Sequence, residues 1–328
     1  MAAARIILLV TSPRLPVGLL TASAWDLLRG HPVWSADPGE WTGPLRAAGV
    51  AVRTVPEPAG VEALLVAAGQ HGTVVWLAGP TGDPELARRL GLRLAREPGL
   101  AELELVYGSW DPPGARLLDA VSVIDRLASP GGDPWKRAQT HASLAQYLLE
   151  EAYEAYDAIG AGDLAALREE IGDVLLQVLL HARLAEELPA DQRWSIDDVA
   201  ADFVAKMIRR NPHVFGGVEV ADMDEILANW ERIKQAEKPR ESVLDGVVRS
   251  QPALALATAI LARTARTGLE LPPPAPPPGV DAADPALLGA ALLGLAAAAH
   301  AAGVDPEAAL RRAALDYAGT VRAAERPD

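Results

Sequence analysis

The sequence predicts a mainly α-helical protein with an N-terminal α/β domain, on three observations. Short apolar runs bounded by turn residues recur up to about residue 112. Helical periodicity takes over from about residue 113, and the polyproline stretch "LPPPAPPPG" (271–279) reads as a semi-rigid linker within the helical part. With 328 residues the chain is long enough for two or three domains, and the expected divisions are 1–112, 113–240 and 241–328. Cysteine is absent, which excludes disulfides, thiolate metal sites and cysteine nucleophiles.

Within the first division, "RIILLV" (5–10), "AVRTV" (51–55), "TVVWLAG" (73–79) and "LELVYG" (103–108) read as strands, and "DPELARRLGLRLA" (83–95) as an intervening helix. The Gly- and Pro-rich "AGPTGDP" (78–84) lacks the spacing of a phosphate-binding or dinucleotide fingerprint and reads as a plain turn.

The second division opens its chemistry with "LLEEAYEAYDAI" (148–159). On a helical wheel Leu148, Leu149, Ala152, Ala155, Tyr156 and Ile159 share one arc, while Glu150, Glu151, Glu154 and Asp157 share the other. A solvated face is the ordinary reading of such an acidic arc. Between Arg137 and Arg168, however, there is no Lys or Arg, so like charges at i,i+3 and i,i+4 stand uncompensated. In the following run, "LREEIGDVLLQVLLHARLAEE" (167–187), Glu170, Asp173, Gln177 and His181 fall on one stripe. Asp173 lies within an otherwise apolar decade, where a carboxylate is costly without a partner. The short "GAGD" connection (160–163) makes the two helices antiparallel neighbours. Oxygen-only donors from two facing helices suit a hard cation, Mg²⁺ or Mn²⁺.

Basic residues gather further on, in "SIDDVAADFVAKMIRRNPHVFGG" (195–217). Ser195 is the expected N-cap, and Pro212 ends the helix at Asn211. Lys206 and Arg210 share a face with Arg209 beside them, which suits either the helix C-terminal dipole or the phosphates of a metal-bound ligand. "NWERIKQAEK" (229–238) places Trp230 and Lys234 on one face. His141, His181 and His213 lack ligand spacing and read as structural or supporting residues.

The formal net charge of −14 argues against binding duplex nucleic acid. The start "MAAARIILLVTSP" has too short an apolar run for a signal peptide, and the Ala- and Gly-rich stretch 286–304, which includes His300, falls short of a membrane span. A cytoplasmic protein that does not enter a membrane is the expectation. The last segment, 284–325, reads as an Ala/Leu-rich helical pair broken at "GVDP" (303–306).

"EEAYE" (150–154) and "EEIGD" (169–173) match EExxE followed by ExxD, the metal motif of the all-α nucleoside triphosphate pyrophosphohydrolases. Taken with "PW" at 134–135, "RRNPHVF" and "NWERIKQAEK" in the expected order, the chain resembles the MazG family. The resemblance implies a four-helix-bundle-like catalytic domain over 113–240 that uses Mg²⁺ to hydrolyse an NTP or dNTP to the monophosphate and pyrophosphate. It implies metal ligation by Glu151, Glu154, Glu170 and Asp173, an outer-shell or water-orienting role for Glu150, and a triphosphate site lined by Lys206, Arg210, Trp230 and Lys234. It also implies a homodimer, or an assembly built from dimers. Non-canonical or damaged nucleotides are candidate substrates, in nucleotide-pool housecleaning.

The chain departs from the family in places. Asp133, Pro134, Trp135 and Lys136 stand where Cys-Pro-Trp-Asp is frequent. Residues 241–257 resemble the lead-in to a second MazG repeat, but 284–300 lacks its acids, so 241–328 reads as a degenerate, catalytically dead lobe. The N-terminal part is similar to a shortened tetrapyrrole-methylase-like domain without its binding motifs. Two other classes compete. A carboxylate-bridged di-iron bundle would need ExxH pairs, and the second motif here ends in Asp173. A non-catalytic nucleotide-sensing or partner-binding module would keep the fold without turnover.

Overall fold

The computed structural model describes residues 4–56, 59–79, 82–220, 222–237, 241–265, 275 and 281–325. The expected polyproline linker, 271–279, lies outside the described residues except for Ala275. The chain divides into two compact units, Met1–Asp202 and Phe203–Asp328.

The first unit begins with β1 (Arg5–Val10), α1 (Ala22–Gly30), β2 (Val33–Ser35), α2 (Thr42–Ala47), β3 (Val52–Thr54), α3 (Gly60–His71), β4 (Thr73–Leu77), α4 (Pro84–Arg96) and β5 (Glu102–Tyr107). The five strands form one parallel sheet in the order β3-β2-β4-β1-β5. Parallel neighbours need crossovers, and helices on both faces of such a sheet bury its central strands twice. That is why "RIILLV" is a continuous apolar run. Ile6 and Leu8 pack with Trp76, Leu64 of α3 and Leu90 of α4, whereas Ile7 and Leu9 pack on the opposite face with Leu28 of α1 and Leu45 of α2. At the edge, β5 alternates toward solvent, and Glu104 pairs with Arg5.

All four expected strands are present, but β2 was not anticipated. It spans three residues, shorter than the 4–8 that a sequence pattern resolves. Asp83 adopts a left-handed conformation (φ 47°) at the start of α4. Its carboxylate accepts from Trp76 Nε1 at 2.8 Å and from the Gly79 N–H at 3.1 Å, local bonds that let Asp tolerate this region.

Helices complete the unit: α5 (Arg116–Ala128), α6 (Pro134–Arg137), α7 (His141–Ala161) and α8 (Leu164–Ala185). Ile124 of α5, Leu144 of α7 and Leu179 and Leu180 of α8 form their shared core. Arg14, following β1, reaches this helical part by forking onto Asp119 of α5, with Nε–Oδ1 at 2.8 Å and Nη2–Oδ2 at 2.6 Å.

α9 (Ile196–Arg210) starts in the first unit and ends in the second. Ser195 and Asp198 exchange bonds at its start, and the helix ends before Asn211 and Pro212, as expected. The second unit continues with α10 (Pro212–Phe215), α11 (Met223–Glu237), α12 (Ala253–Ala265), α13 (Pro285–Ala301) and α14 (Pro306–Ala324). α12, α13 and α14 pack together, with Ala291, Gly294, Ala296 and Ala297 of α13 buried. Arg263 of α12 binds the carbonyls of Val243, Asp245 and Gly246, closing the preceding turn onto the helix. Asp284 and Asp305 cap α13 and α14, each followed by a proline at the first helical position. Among the described residues no single helix is long and apolar enough to cross a membrane.

Leu144 is fully buried at the centre of the helical core. Leu144→Ala should cost about 2–5 kcal/mol through lost burial and the cavity left behind. Chemical denaturation would show this as a lower midpoint with the helical signal of the folded baseline retained, and an unchanged midpoint would mean that the core lies elsewhere.

Candidate functional site

The site is built on a helical hairpin. Thr140 and Ser143 cap α7 reciprocally: the Ser143 N–H donates to Thr140 Oγ1 at 3.1 Å, and the Thr140 N–H donates to Ser143 Oγ at 2.9 Å. Gly162 ends α7 at φ +69°, a conformation that favours glycine, and the Asp163 side chain caps α8 by accepting from Ala165 and Ala166, both at 3.0 Å. Two residues between helices leave no alternative to an antiparallel pair, as the "GAGD" reading anticipated. The wheel's apolar arc is only partly the buried one, however. Ala155 and Ala158 are buried, whereas Leu149, Tyr156 and Ile159 are exposed, because α7 meets α8 along a strip that includes the acidic side.

On that strip Glu151, Glu154 and Glu170 bring carboxylate oxygens within 4.8 Å of one another. Asp173 is not part of this three-residue group, but it is half-buried and close enough for its charge to act on Glu151 and Glu170. Glu150 is exposed beside them. Among the described residues none of these carboxylates pairs with a basic side chain. Partial burial, then the charges of Asp173, Glu154, Glu150 and Glu170, hold Glu151 above the usual carboxylate range. Glu170 is raised by partial burial, then by Glu154, Glu169 and Asp173, and by a hydrogen bond shared with Glu154. An oxygen-only donor set with unneutralised charge fits a hard divalent cation.

The next two turns of the α8 stripe carry Gln177 and His181. Gln177 Oε1 and His181 Nε2 are buried without a hydrogen-bond partner among the described residues. His181 Nδ1 lies 2.7 Å from His141 Nδ1, the rings stacked within 2° of parallel, and His141 also stacks on Trp194. Sequence reading took these histidines singly. Folding the chain back at Gly162 would have found the pair, since His141 and His181 lie nearly equidistant from the turn.

The expected phosphate-binding residues belong to the second unit. Trp230 is flanked by two cations, with Arg210 5.2 Å and Lys234 4.9 Å from its ring centre, while Lys206 lies 6.0 Å from the Phe203 ring. Lys234 is 3.6 Å from Glu231. Arg210 also has a partner that the sequence did not suggest: Glu237 accepts from its Nη2 at 2.5 Å and from Arg209 Nε at 2.7 Å. Those two guanidinium groups, Arg210 foremost, pull the Glu237 carboxyl from 4.5 to about 2. Because the folded value is depressed, the stabilisation from this pairing is present above 4.5 and is lost as pH falls toward about 2.

An α-helical hairpin presenting carboxylates unneutralised among the described residues defines a class of acidic helical domains able to hold a cation. Residues 139–215 match the family model described as the MazG nucleotide pyrophosphohydrolase domain. The chain is 46% identical over 247 residues to an uncharacterized 26.1 kDa protein from Streptomyces cacaoi, covering 74% of this chain and 97% of that one. It is 36% identical over 213 residues to the nucleoside triphosphate pyrophosphohydrolase/pyrophosphatase MazG of Thermotoga maritima, covering 60% of this chain and 80% of that one. It is 45% identical over 216 residues to the nucleoside triphosphate pyrophosphohydrolase of Mycolicibacterium smegmatis, covering 65% of this chain but only 60% of that relative's length. The chain belongs to the MazG family.

Raised carboxyl values mean that the apoprotein loses stability as pH rises through and above the carboxylate range, and a bound cation removes that penalty. Mg²⁺ at a hundredfold excess over its Kd should therefore raise Tm by roughly 5–10 °C at neutral pH, and by less as the carboxylates become protonated in acid. A doubly substituted Glu154→Gln, Glu170→Gln protein should lose this response and yet melt higher than wild type without metal. Equal Mg²⁺ responses in thermal melts of the two proteins would refute the cation assignment.

Proposed function

We propose that this chain hydrolyses nucleoside and deoxynucleoside triphosphates to the monophosphate and pyrophosphate. It acts as a hydrolase of acid anhydrides through a site in residues 113–240. The observation that carries this reading is the cluster of Glu151, Glu154 and Glu170, three carboxylates without basic partners among the described residues, at the positions of the EExxE and ExxD motifs. Family membership supports it, as do the names of the mycobacterial and Thermotoga relatives.

In this reading Glu151, Glu154, Glu170 and Asp173 hold Mg²⁺, for which Mn²⁺ can substitute. A bound divalent cation supplies charge neutralisation on the phosphate chain and lowers the pKa of water. Glu150 orients the attacking water or accepts its proton. Lys206, Arg210 and Lys234 grip the phosphates and stabilise the charge that builds on the pyrophosphate leaving group, and Trp230 holds the two nearest cations in place. Glu237 keeps the Arg210 fork aligned. No side chain has to act as a nucleophile.

The exposed apolar side chains Leu149, Tyr156, Ile159 and Ile171 on α7 and α8 support a four-helix bundle completed by a second copy, as a homodimer or a dimer of dimers. Residues 241–328 serve as a degenerate second lobe without catalysis, and 1–112 as a domain distinct from the catalytic one. Canonical or damaged nucleotides of the cytoplasmic pool are the substrates, which makes the role one of housecleaning.

Asp173→Asn should abolish Mg²⁺-dependent turnover with the helical fold intact, and Arg210→Ala should lower kcat/KM by on the order of 100-fold. A substrate blocked between the α- and β-phosphates should bind and resist cleavage, while one blocked only between β and γ should still release its monophosphate. Orthophosphate and a nucleoside diphosphate as the first products would point to a different phosphohydrolase.

A further inference from the structure

The α/β part of the first unit carries a second concave site, at the end of the sheet where doubly wound folds bind ligands. The central strands β1 and β4 are neighbours. From β1 the chain leaves through α1, which packs on one face and leads to β2. From β4 it leaves through α4, which packs on the other face and leads to β5. Connections that depart in opposite directions from adjacent parallel strands cannot close over each other, so a crevice remains beyond the strands' carboxyl ends.

A cleft of about 240 Å³ lies there, lined by Thr11, Ser12 and Arg14 after β1, Gly82 after β4, and Tyr107, Trp110 and Asp111 at the end of β5. Gly82 belongs to the "AGPTGDP" segment that the sequence alone reads as a plain turn.

The chemistry of the lining narrows the ligand. Arg14 is the cation of the cleft, and it is already committed to two carboxylates, binding Asp119 through Nε and Nη2 and Asp111 through Nη1. The Ser12 hydroxyl donates to the other oxygen of Asp111. Arg116 adds a further pairing to Asp119 at 3.1 Å. These bonds leave the floor close to electroneutral and with no uncommitted cation, so a phosphate group would find no counter-charge. The rim is aromatic. The Trp110 and Tyr107 side chains are 64% and 57% exposed, and among the described residues neither the indole N–H nor the phenol has a hydrogen-bond partner. Exposed aromatic faces beside a polar, charge-balanced floor suit a flat heterocycle that stacks and hydrogen-bonds at its edge. The volume lies below the roughly 300 Å³ at which drug-sized pockets begin, which favours a single small ligand over a dinucleotide.

We propose that this crevice binds one uncharged nucleoside, its base stacked on Trp110 and Tyr107. The site shares no residue with the α7–α8 carboxylates, so the proposal stands independently of the pyrophosphohydrolase reading.

Saturation-transfer NMR on the full chain, titrated with adenosine, guanosine, cytidine, uridine and the corresponding 5′-monophosphates, tests it. At least one nucleoside should bind at millimolar concentration or below, and its monophosphate should bind more weakly. Trp110→Ala should weaken binding about tenfold or more, and Tyr107→Ala should weaken it as well, each with thermal stability unchanged. The Glu154→Gln, Glu170→Gln protein should bind the nucleoside as wild type does, which separates this crevice from the carboxylate site. The proposal is overturned if no nucleoside binds at millimolar concentration, if both aromatic variants bind as wild type does, if the monophosphate binds the Glu154→Gln, Glu170→Gln protein more tightly than its nucleoside does in the absence of divalent metal, or if nucleoside binding disappears with the carboxylates.

Discussion

The mutual repulsion of carboxylates on α7 and α8 is the constraint around which the helical part of the first unit is organised. Glu151, Glu154 and Glu170 converge because a two-residue turn folds one helix back on the other, and among the described residues no basic side chain pairs with them. The cost is met elsewhere in the hairpin. A reciprocal cap starts α7, Asp163 caps α8, and Leu144, Leu179 and Leu180 lock the pair against Ile124 of α5. Burial then raises the price of ionising Glu151 further, which is the opposite of what a protein optimised for stability alone would select. A fold that spends stability on uncompensated negative charge is prepared for a positive ligand.

The second unit balances its charge differently. Arg209 and Arg210 share Glu237, Lys234 lies near Glu231, and Trp230 offers its faces to Arg210 and Lys234. These pairings order long cationic side chains, so less rotamer entropy is lost when an anion binds. The α7–α8 carboxylates are thus left without basic partners among the described residues, whereas the second unit's cations are held aligned. The Arg14 fork in the crevice of the α/β part is a third arrangement, in which the cation is fully committed to carboxylates and the remaining recognition falls to aromatic rings.

Much of this was legible in the sequence, and the omissions have physical causes. The strand at "RIILLV" was readable because a central parallel strand is apolar on both faces, whereas Val33–Ser35 is too short to impose a period. The EExxE and ExxD spacings located the carboxylates because helical geometry carries i,i+3 spacing onto one face. The wheel did not show which residues of α7 are buried: Ala155 and Ala158 are, while Leu149, Tyr156 and Ile159 are exposed, and a hydrophobicity pattern credits small residues little. The His141–His181 stack and the Glu237 fork escaped because both depend on tertiary pairing across 40 and 27 residues, which no local period encodes.

Anomalous diffraction from crystals grown with Mn²⁺ would test the central claim most directly, since it locates the ion without reference to activity or stability. A cation held by the hairpin predicts an anomalous peak within coordination distance of Glu151, Glu154 and Glu170. A peak elsewhere, or an unoccupied carboxylate cluster at saturating Mn²⁺, would contradict it.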